Sequence, residues 1–241
     1  MNPADLSDRL LHRDGNMLIL DKLAGLAVHP GPRTPHSLEL YLPTLAFGLP
    51  RPPSLAHRLD RDTAGCLVLG RHPKALRKLN RLFSEGAVEK TYWAVVAGSP
   101  EEGAGSIDFS LLKTNDVTGW RMTVDPAGQR ALTDWRVLGR GLDGDKALTW
   151  LELSPKTGRT HQIRIHCAAM GWPVLGDPIY GTATTPLHLL ARAVSVPMQV
   201  SKPPIKVSAE PPIHMHEALQ ACGWASGSKP VNPKKPVLDT Q

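Results

Sequence analysis

Ala56–Arg71 reads AHRLDRDTAGCLVLGR, and the fold turns on how this stretch divides. Its second half, Cys66-Leu67-Val68-Leu69-Gly70, is a short aliphatic run ending at glycine, the pattern of a buried strand. Its first half is polar: His57 and Arg58, then Asp60, Arg61 and Asp62, then a small-residue turn, Thr63-Ala64-Gly65. Asp60 therefore occupies a loop that runs into the core. A carboxylate so placed is costly to desolvate unless a cation pairs with it. Which arginine supplies that cation is the central question of the sequence.

Upstream, residues 1–16 read as a polar lead-in. Met17–Asp21 (MLILD) predicts a strand and Leu26–Val28 a second. Ser37–Leu42 is weakly helical, with Pro43 as its stop. Downstream, Leu76, Leu79, Leu82 and Phe83 recur at helical spacing over His72–Gly86. The other face of that helix carries Lys74, Arg77, Lys78 and Arg81, either a solvated basic face or a stripe for phosphates. Strands follow at Val88–Gly98, Ile107–Leu112, Trp120–Val124, Ala131–Leu138 and Ala147–Leu153, the last two as a long hairpin. Thr160–Met170 predicts a helix capped by Thr160 and ended by Gly171, with Ile163, Cys167 and Met170 on one face. A strand near Ile205–Val207 and a short helix over Ile213–Ala221 complete the chain before a Pro/Lys-rich tail, residues 226–241, expected to be disordered. The pattern is not a regular βαβ alternation. It predicts an α+β domain over residues 17–225: a mixed, mainly antiparallel sheet core with flanking helices.

Composition limits the function. Hydrophobic residues make up 41% of 241, enough for a core, and the formal charge of +6 suits a polyanionic partner or a merely basic enzyme equally. No stretch is long and apolar enough to cross a bilayer as a helix. Cys66, Cys167 and Cys222 are odd in number and widely spaced, which fits a reducing cytoplasm better than a disulfide framework. No Walker A loop, HExxH, CxxC or GxSxG occurs. His57, His161 and His166 with Asp60 match no familiar ligand spacing, so no metal and no cofactor are assigned. Cys167 falls on an apolar helix face and reads as core.

The second dense cluster is Thr157–Tyr180, TGRTHQIRIHCAAMGWPVLGDPIY. With Thr160 as cap, Arg164 falls one turn inside the helix, sharing a face with His161, Ala168 and Gly171. Small neighbours let another segment approach the guanidinium, a natural bidentate partner for a buried carboxylate. An exposed helical cation fits the local pattern equally well. Tyr92, in Lys90-Thr91-Tyr92, is either an ordinary strand aromatic or a ring that stacks on a base with its hydroxyl free for proton transfer.

Together these motifs resemble the RluA-type RNA pseudouridine synthases. His57-Arg58-Leu59-Asp60-Arg61-Asp62-Thr63-Ala64-Gly65 is similar to the family signature, with Ala64 where Ser is usual. Gly158–His166 and Gly176–Gly181 resemble its second motif and the continuation, and Lys90-Thr91-Tyr92 its Lys-x-Tyr. Asp21–Gly25 with His29-Pro30-Gly31 is similar to the N-terminal motif, with Leu23 where Pro is usual. The resemblance implies the pseudouridine synthase fold with a central catalytic cleft, and isomerisation of uridine to pseudouridine in rRNA or tRNA. It implies Asp60 as the catalytic carboxylate, either attacking C1′ or assisting loss of the C2′ proton. Both routes need Asp60 ionised, and Arg164 would hold it so by charge pairing. Tyr92 would stack on the uracil, and Arg58 would keep the target nucleotide out of the stack. His57, Arg159, His161 and Gln162 are the remaining expected substrate contacts. The lead-in is too short for an S4-type RNA-binding domain, and a monomer is expected. Two rivals remain: a non-catalytic RNA-binding or RNA-folding protein on the same scaffold, and a metal-dependent hydrolase using His57, His161 and His166.

Overall fold

The computed structural model describes residues 6–31, 36–116, 119–183 and 185–225. The expected tail, 226–241, lies outside them.

The aliphatic run of the opening stretch is the buried strand it promised, two residues longer at its start. Strand β4, Ala64–Gly70, is buried at all seven positions, because it has neighbours on both edges and both faces. On one edge it pairs antiparallel with β2, Met17–Lys22. On the other its start pairs in parallel with β10, Leu189–Val196, and its end antiparallel with the short β3, Ser54–Leu55. Gly65 has φ +102°, and a Cβ there would meet the Ala191 carbonyl oxygen at 2.3 Å. Only glycine lets β10 come that close at the point where the Asp60 loop enters the sheet.

Outward from β10 the pairings are antiparallel. β5, Glu89–Ala97, joins β10 and β9, Lys146–Pro155, and β9 hairpins with β8, Gln129–Asp143. β6, Ala104–Asp116, lies beside β8 and carries β7, Gly119–Val124, at the far edge. β11, Ile205–Ser208, adds to β10. With β1, Leu10–Arg13, at the near edge, the order β1-β2-β4-β10-β5-β9-β8-β6-β7 makes one open sheet, mainly antiparallel with a single parallel strand pairing among the described residues, the α+β core expected from sequence.

Three α-helices cover this sheet among the described residues. α1, Pro73–Ser84, starts on proline with the His72 side chain accepting from Ala75 N–H at 3.2 Å. It buries Ala75, Leu79 and Leu82, the two leucines in one cluster with residues of β2, β4 and β10. α2, Gln162–Ala169, packs Ile163 and Cys167 into a second cluster with Trp172, Val174 and Leu187. α3, His216–Ala221, follows a 3₁₀ turn over Ile213–Met215 and closes the first cluster. All three cysteines are free and buried.

Several local expectations are corrected. Residues 10–13, counted in the polar lead-in, form edge strand β1 (Leu10–Arg13) on β2, and Leu6 is 1% exposed in the core. Leu26–Val28 is not a strand; Ala27 makes only an isolated bridge to Ser37. The chain there wraps an ammonium instead, with the carbonyls of Leu23 and Leu26 accepting from Lys22 Nζ. The helical segment after Ser37 is 3₁₀ and runs through Pro43 to Leu45. α2 starts at Gln162, not Thr160, because His161 has φ +52° and cannot be helical. Met170 caps that helix at 41% exposure rather than joining its apolar face.

Candidate active site

All eight residues singled out by sequence line one cleft of about 590 Å³ between the Asp60 loop, β5 and the start of α2. Asp60 is at its floor, with its side chain 19% exposed. Its loop is stapled from below. Lys22 is 1% exposed and donates all three protons, to Leu23 O, Leu26 O and Arg61 O, at 2.7–2.9 Å. Burial pushes the Lys22 ammonium down to about 7, against the pull of Asp62, Asp60 and Asp21. Gly25 N–H also donates to Arg61 O, and Thr63 N–H closes the turn onto Asp60 O.

Arg164 faces Asp60, but Asp60 is not its bidentate partner. Its Nε and Nη2 each donate at 2.7 Å to Asp177, which is fully buried. Only Nη1 is left for Asp60, 3.7 Å from Oδ2. Burial works to raise the Asp177 carboxyl, but Arg164 and the N–H groups of Ile179 and Tyr180 outweigh it and hold it below the usual range. Asp177 thus fixes two arms of the guanidinium so that the third points into the cleft.

His161 supplies a second contact, Nε2 at 3.9 Å from Asp60 Oδ2. Burial lowers the imidazole below its ordinary value, with Asp60 pulling the other way. The Tyr180 hydroxyl accepts from Met122 N–H at 2.9 Å and lies 3.1 Å from His161 Nδ1. Paired with that hydroxyl at Nδ1, the imidazole turns Nε2 toward Asp60. The left-handed backbone at a non-glycine residue costs roughly 1–3 kcal/mol, and Tyr180 and the Trp120 ring, 5.0 Å away, hold it there.

Tyr92 projects from β5 beside Asp60. Burial, then the Asp60 charge, push its phenol well above the ordinary value, so it is neutral and a donor. Arg58 and Arg159 are exposed at the mouth. Arg159 Nε donates to Arg130 O at 3.2 Å, and Arg58 has no ion pair among the described residues. His57 and Gln162, expected as substrate contacts, are engaged inside the protein. Gln162 bonds to Thr157, Arg159, Leu132 and Thr133. His57 Nε2 accepts from Val68 N–H at 3.0 Å, and its ring stacks on Phe83 at 4.4 Å.

A domain model described as RNA pseudouridylate synthase matches residues 16–169. An RNA pseudouridine synthase of Zymomonas mobilis is 46% identical over 179 residues, 73% of this chain and 80% of the relative. The chain belongs to the RNA pseudouridylate synthase family. A ribosomal large subunit pseudouridine synthase D of Xanthomonas campestris is 38% identical over 186 residues, 75% of this chain and 54% of the relative. The solved human RNA pseudouridylate synthase domain containing 4 superposes with a TM-score of 0.77 at 25% identity, covering 92% of this chain and 95% of that one. Its likeness confirms the pseudouridine synthase fold.

Three residues of this synthase fold escaped the sequence reading: Lys22, Asp177 and Tyr180. Each lies in a quoted motif, but its role is visible only through what it holds. The metal-hydrolase rival needs His166 in the cleft. His166 is instead fully buried against Thr133 and Phe109, and no group of three potential ligands among the described residues could hold a metal ion.

The two internal histidines make stability depend on pH. Burial pushes His57 and His166 down to about 4 from 6.5. Between those values the unfolded chain takes up protons that the folded chain refuses. Stability is therefore greatest above 6.5 and falls as pH drops toward 4, by on the order of 3 kcal/mol per ring. Denaturant titrations at pH 7 and pH 4.5 check this; equal stability at both would mean the folded rings accept protons.

Proposed function

We propose that this chain converts uridine in structured RNA to pseudouridine with the Asp60 carboxylate at the reacting sugar carbon. The observation that carries the reading is the arrangement around Oδ2. A third guanidinium arm and the Nε2 of an imidazole face one carboxylate in a cleft with cationic rims.

The chemistry fits these groups. The N1–C1′ bond breaks, the uracil turns, C5 bonds to C1′, and the C5 proton leaves while N1 regains one. Atoms balance with no oxidant or donor. Either Asp60 attacks C1′, or it accepts the C2′ proton. In both cases Arg164 and His161 orient the carboxylate, and both routes use its ionised form. Tyr92, kept as a neutral phenol, stacks beside the base and donates rather than abstracts. Arg58, without an ion pair among the described residues, suits the place vacated by an extruded nucleotide. Arg159 suits a phosphate. His57 and Gln162 hold the walls.

Extrusion costs a few kcal/mol of unstacking, which phosphate contacts can offset. Arg77, Asn80 and Ser84 fall on one face of α1 at i, i+3 and i+7, and Asn80 and Ser84 line the cleft. Lys74, Arg77 and Lys78 have no ion pair among the described residues, while Arg81 approaches Glu85 at 3.8 Å. This supports the phosphate-stripe reading of the helix. The target is ribosomal or transfer RNA, and the name of the Xanthomonas relative favours the large ribosomal subunit. A monomer acting in the cytoplasm accords with three unpaired buried cysteines.

The deciding experiment incubates the purified chain with RNA from a strain lacking the gene, the uridines tritiated at C5. Tritium release and new pseudouridine at the positions lost in that strain are expected. Tight binding without tritium release would favour the non-catalytic rival.

A further inference from the structure

Beyond steadying His161, Trp120 has no part in the chemistry above, and its placement is unusual for so large an apolar ring. The β6–β7 hairpin turns one face toward α2. Lys113 pairs with Met122 and Asn115 with Trp120, so these four residues share that face. Nearer the base of the hairpin, Leu111 and Met122 are buried with Ala131 against Ile165 and Tyr180. One step toward the tip, Trp120 is 44% exposed. Its ring lies 5.0 Å from the His161 imidazole, tilted by 32°. Lys113 Nζ lies over the indole at 4.9 Å from its centroid.

The hairpin is fixed to the cleft wall. The Tyr180 hydroxyl bonds to Met122 N–H and to His161, and His161 meets Asp60. From the floor outward the order is carboxylate, imidazole, indole, ammonium. A ring that only covered His161 would gain by being buried, yet nearly half of this one is open beside a cation. A strand with one nucleotide in the cleft carries the next nucleotide just outside it, one phosphodiester away.

We propose that Trp120 and Lys113 form the docking platform for the nucleotide adjoining the target uridine. The adjoining base stacks on the indole, displacing the flexible Lys113 side chain, whose ammonium moves onto the phosphate between the two nucleotides. Every base has a π-face, so the platform fixes where the strand lies without choosing its sequence. The inference rests on the reading that the Asp60 cleft takes a uridine from RNA. Trp120 is a positioning residue: it touches the substrate away from the reacting atoms.

The test compares wild type, Trp120→Ala and Trp120→Phe on C5-tritiated RNA from the deletion strain, with melting curves alongside. Trp120→Ala is expected to raise KM roughly 5- to 150-fold, the span of one lost base–aromatic stack, with a smaller fall in kcat. Trp120→Phe recovers most of the loss, because a phenyl ring still stacks. Lys113→Ala raises KM less and flattens its salt dependence by about one phosphate contact. An unchanged KM in Trp120→Ala overturns the platform, as does a Phe variant no better than Ala. A loss confined to kcat with a lower melting temperature also overturns it, since that marks the indole as mere cover for His161. If wild type itself releases no tritium, the pseudouridine reading has failed, which is a different result from wild-type activity with an indifferent Trp120.

Discussion

Asp60→Asn is expected to abolish pseudouridine formation while leaving the fold and RNA binding in place. The reason lies in how few contacts the Asp60 side chain makes: two long approaches, 3.7 Å to Arg164 and 3.9 Å to His161. Asparagine occupies the same volume and leaves the Asp177–Arg164 pair intact, so little stability is at stake. It cannot attack C1′ with a full negative charge, nor accept the C2′ proton. Loss of at least about 10⁴-fold is expected, the upper end for a positioned acid–base group and the lower end for a lost nucleophile. RNA affinity should hold or rise slightly, because a negative charge leaves a site that takes a polyanion. Tritium release, filter binding and a melting curve on the same preparation separate these effects. Asp60→Ala guards against slow deamidation of the asparagine. Turnover within tenfold of wild type in Asp60→Ala would remove the carboxylate from the mechanism.

The elements that sequence located correctly are those whose signal is local. β4 is a run of aliphatics bounded by glycines, and α1 repeats leucine at helical spacing behind a capping His72 and Pro73. The β8–β9 hairpin alternates about a Gly/Asp turn. What sequence missed depends on partners distant in the chain. Leu10–Arg13 is short and carries His12 and Arg13, and only the free edge of β2 makes it a strand. Leu26–Val28 has strand-forming residues, but the carbonyl of Leu26 is engaged by Lys22, which no period of two reveals. His161 is held left-handed by Tyr180, 19 residues on, so the start of α2 moved two residues.

The same division runs through the site. The motifs name the residues that gather in the cleft. The pairing among them was not legible. Sequence offered Arg164 a buried acid and nominated Asp60, because a loop entering the core is an evident place for one. Asp177 is in the second quoted cluster, yet as part of Gly176-Asp177-Pro178 it reads as turn chemistry. Both readings of Asp177 hold. Its Oδ1 accepts from Ile179 and Tyr180 N–H as a turn residue does, and the same carboxylate grips the guanidinium. The division of labour follows from desolvation. A fully buried acid needs the bidentate partner, whereas Asp60, open to the cleft, does not.

That division sets the second large expectation. Asp177→Ala leaves the Arg164 guanidinium, 3% exposed, with a single distant counter-ion and frees two backbone N–H groups. Breaking a buried pair from one side costs roughly 3–5 kcal/mol, measurable by denaturant titration. Activity should fall as well, by about 10²-fold or more. Released from Asp177, the guanidinium can swing onto Asp60 with two arms and pull the carboxylate off its line toward the sugar. Arg164→Met strands Asp177 instead, with a similar loss of stability and a severe loss of turnover. Arg164→Met combined with Asp177→Leu removes both buried charges. The double variant should be more stable than either single one, by a coupling of a few kcal/mol, yet remain as inactive as Arg164→Met. Activity therefore separates the two roles of the arginine. If the pair were only structural, the double variant would regain turnover along with stability. If it aims a guanidinium arm at Asp60, restored folding brings no activity back, and near-normal turnover in Arg164→Met would mean that His161 alone positions the carboxylate.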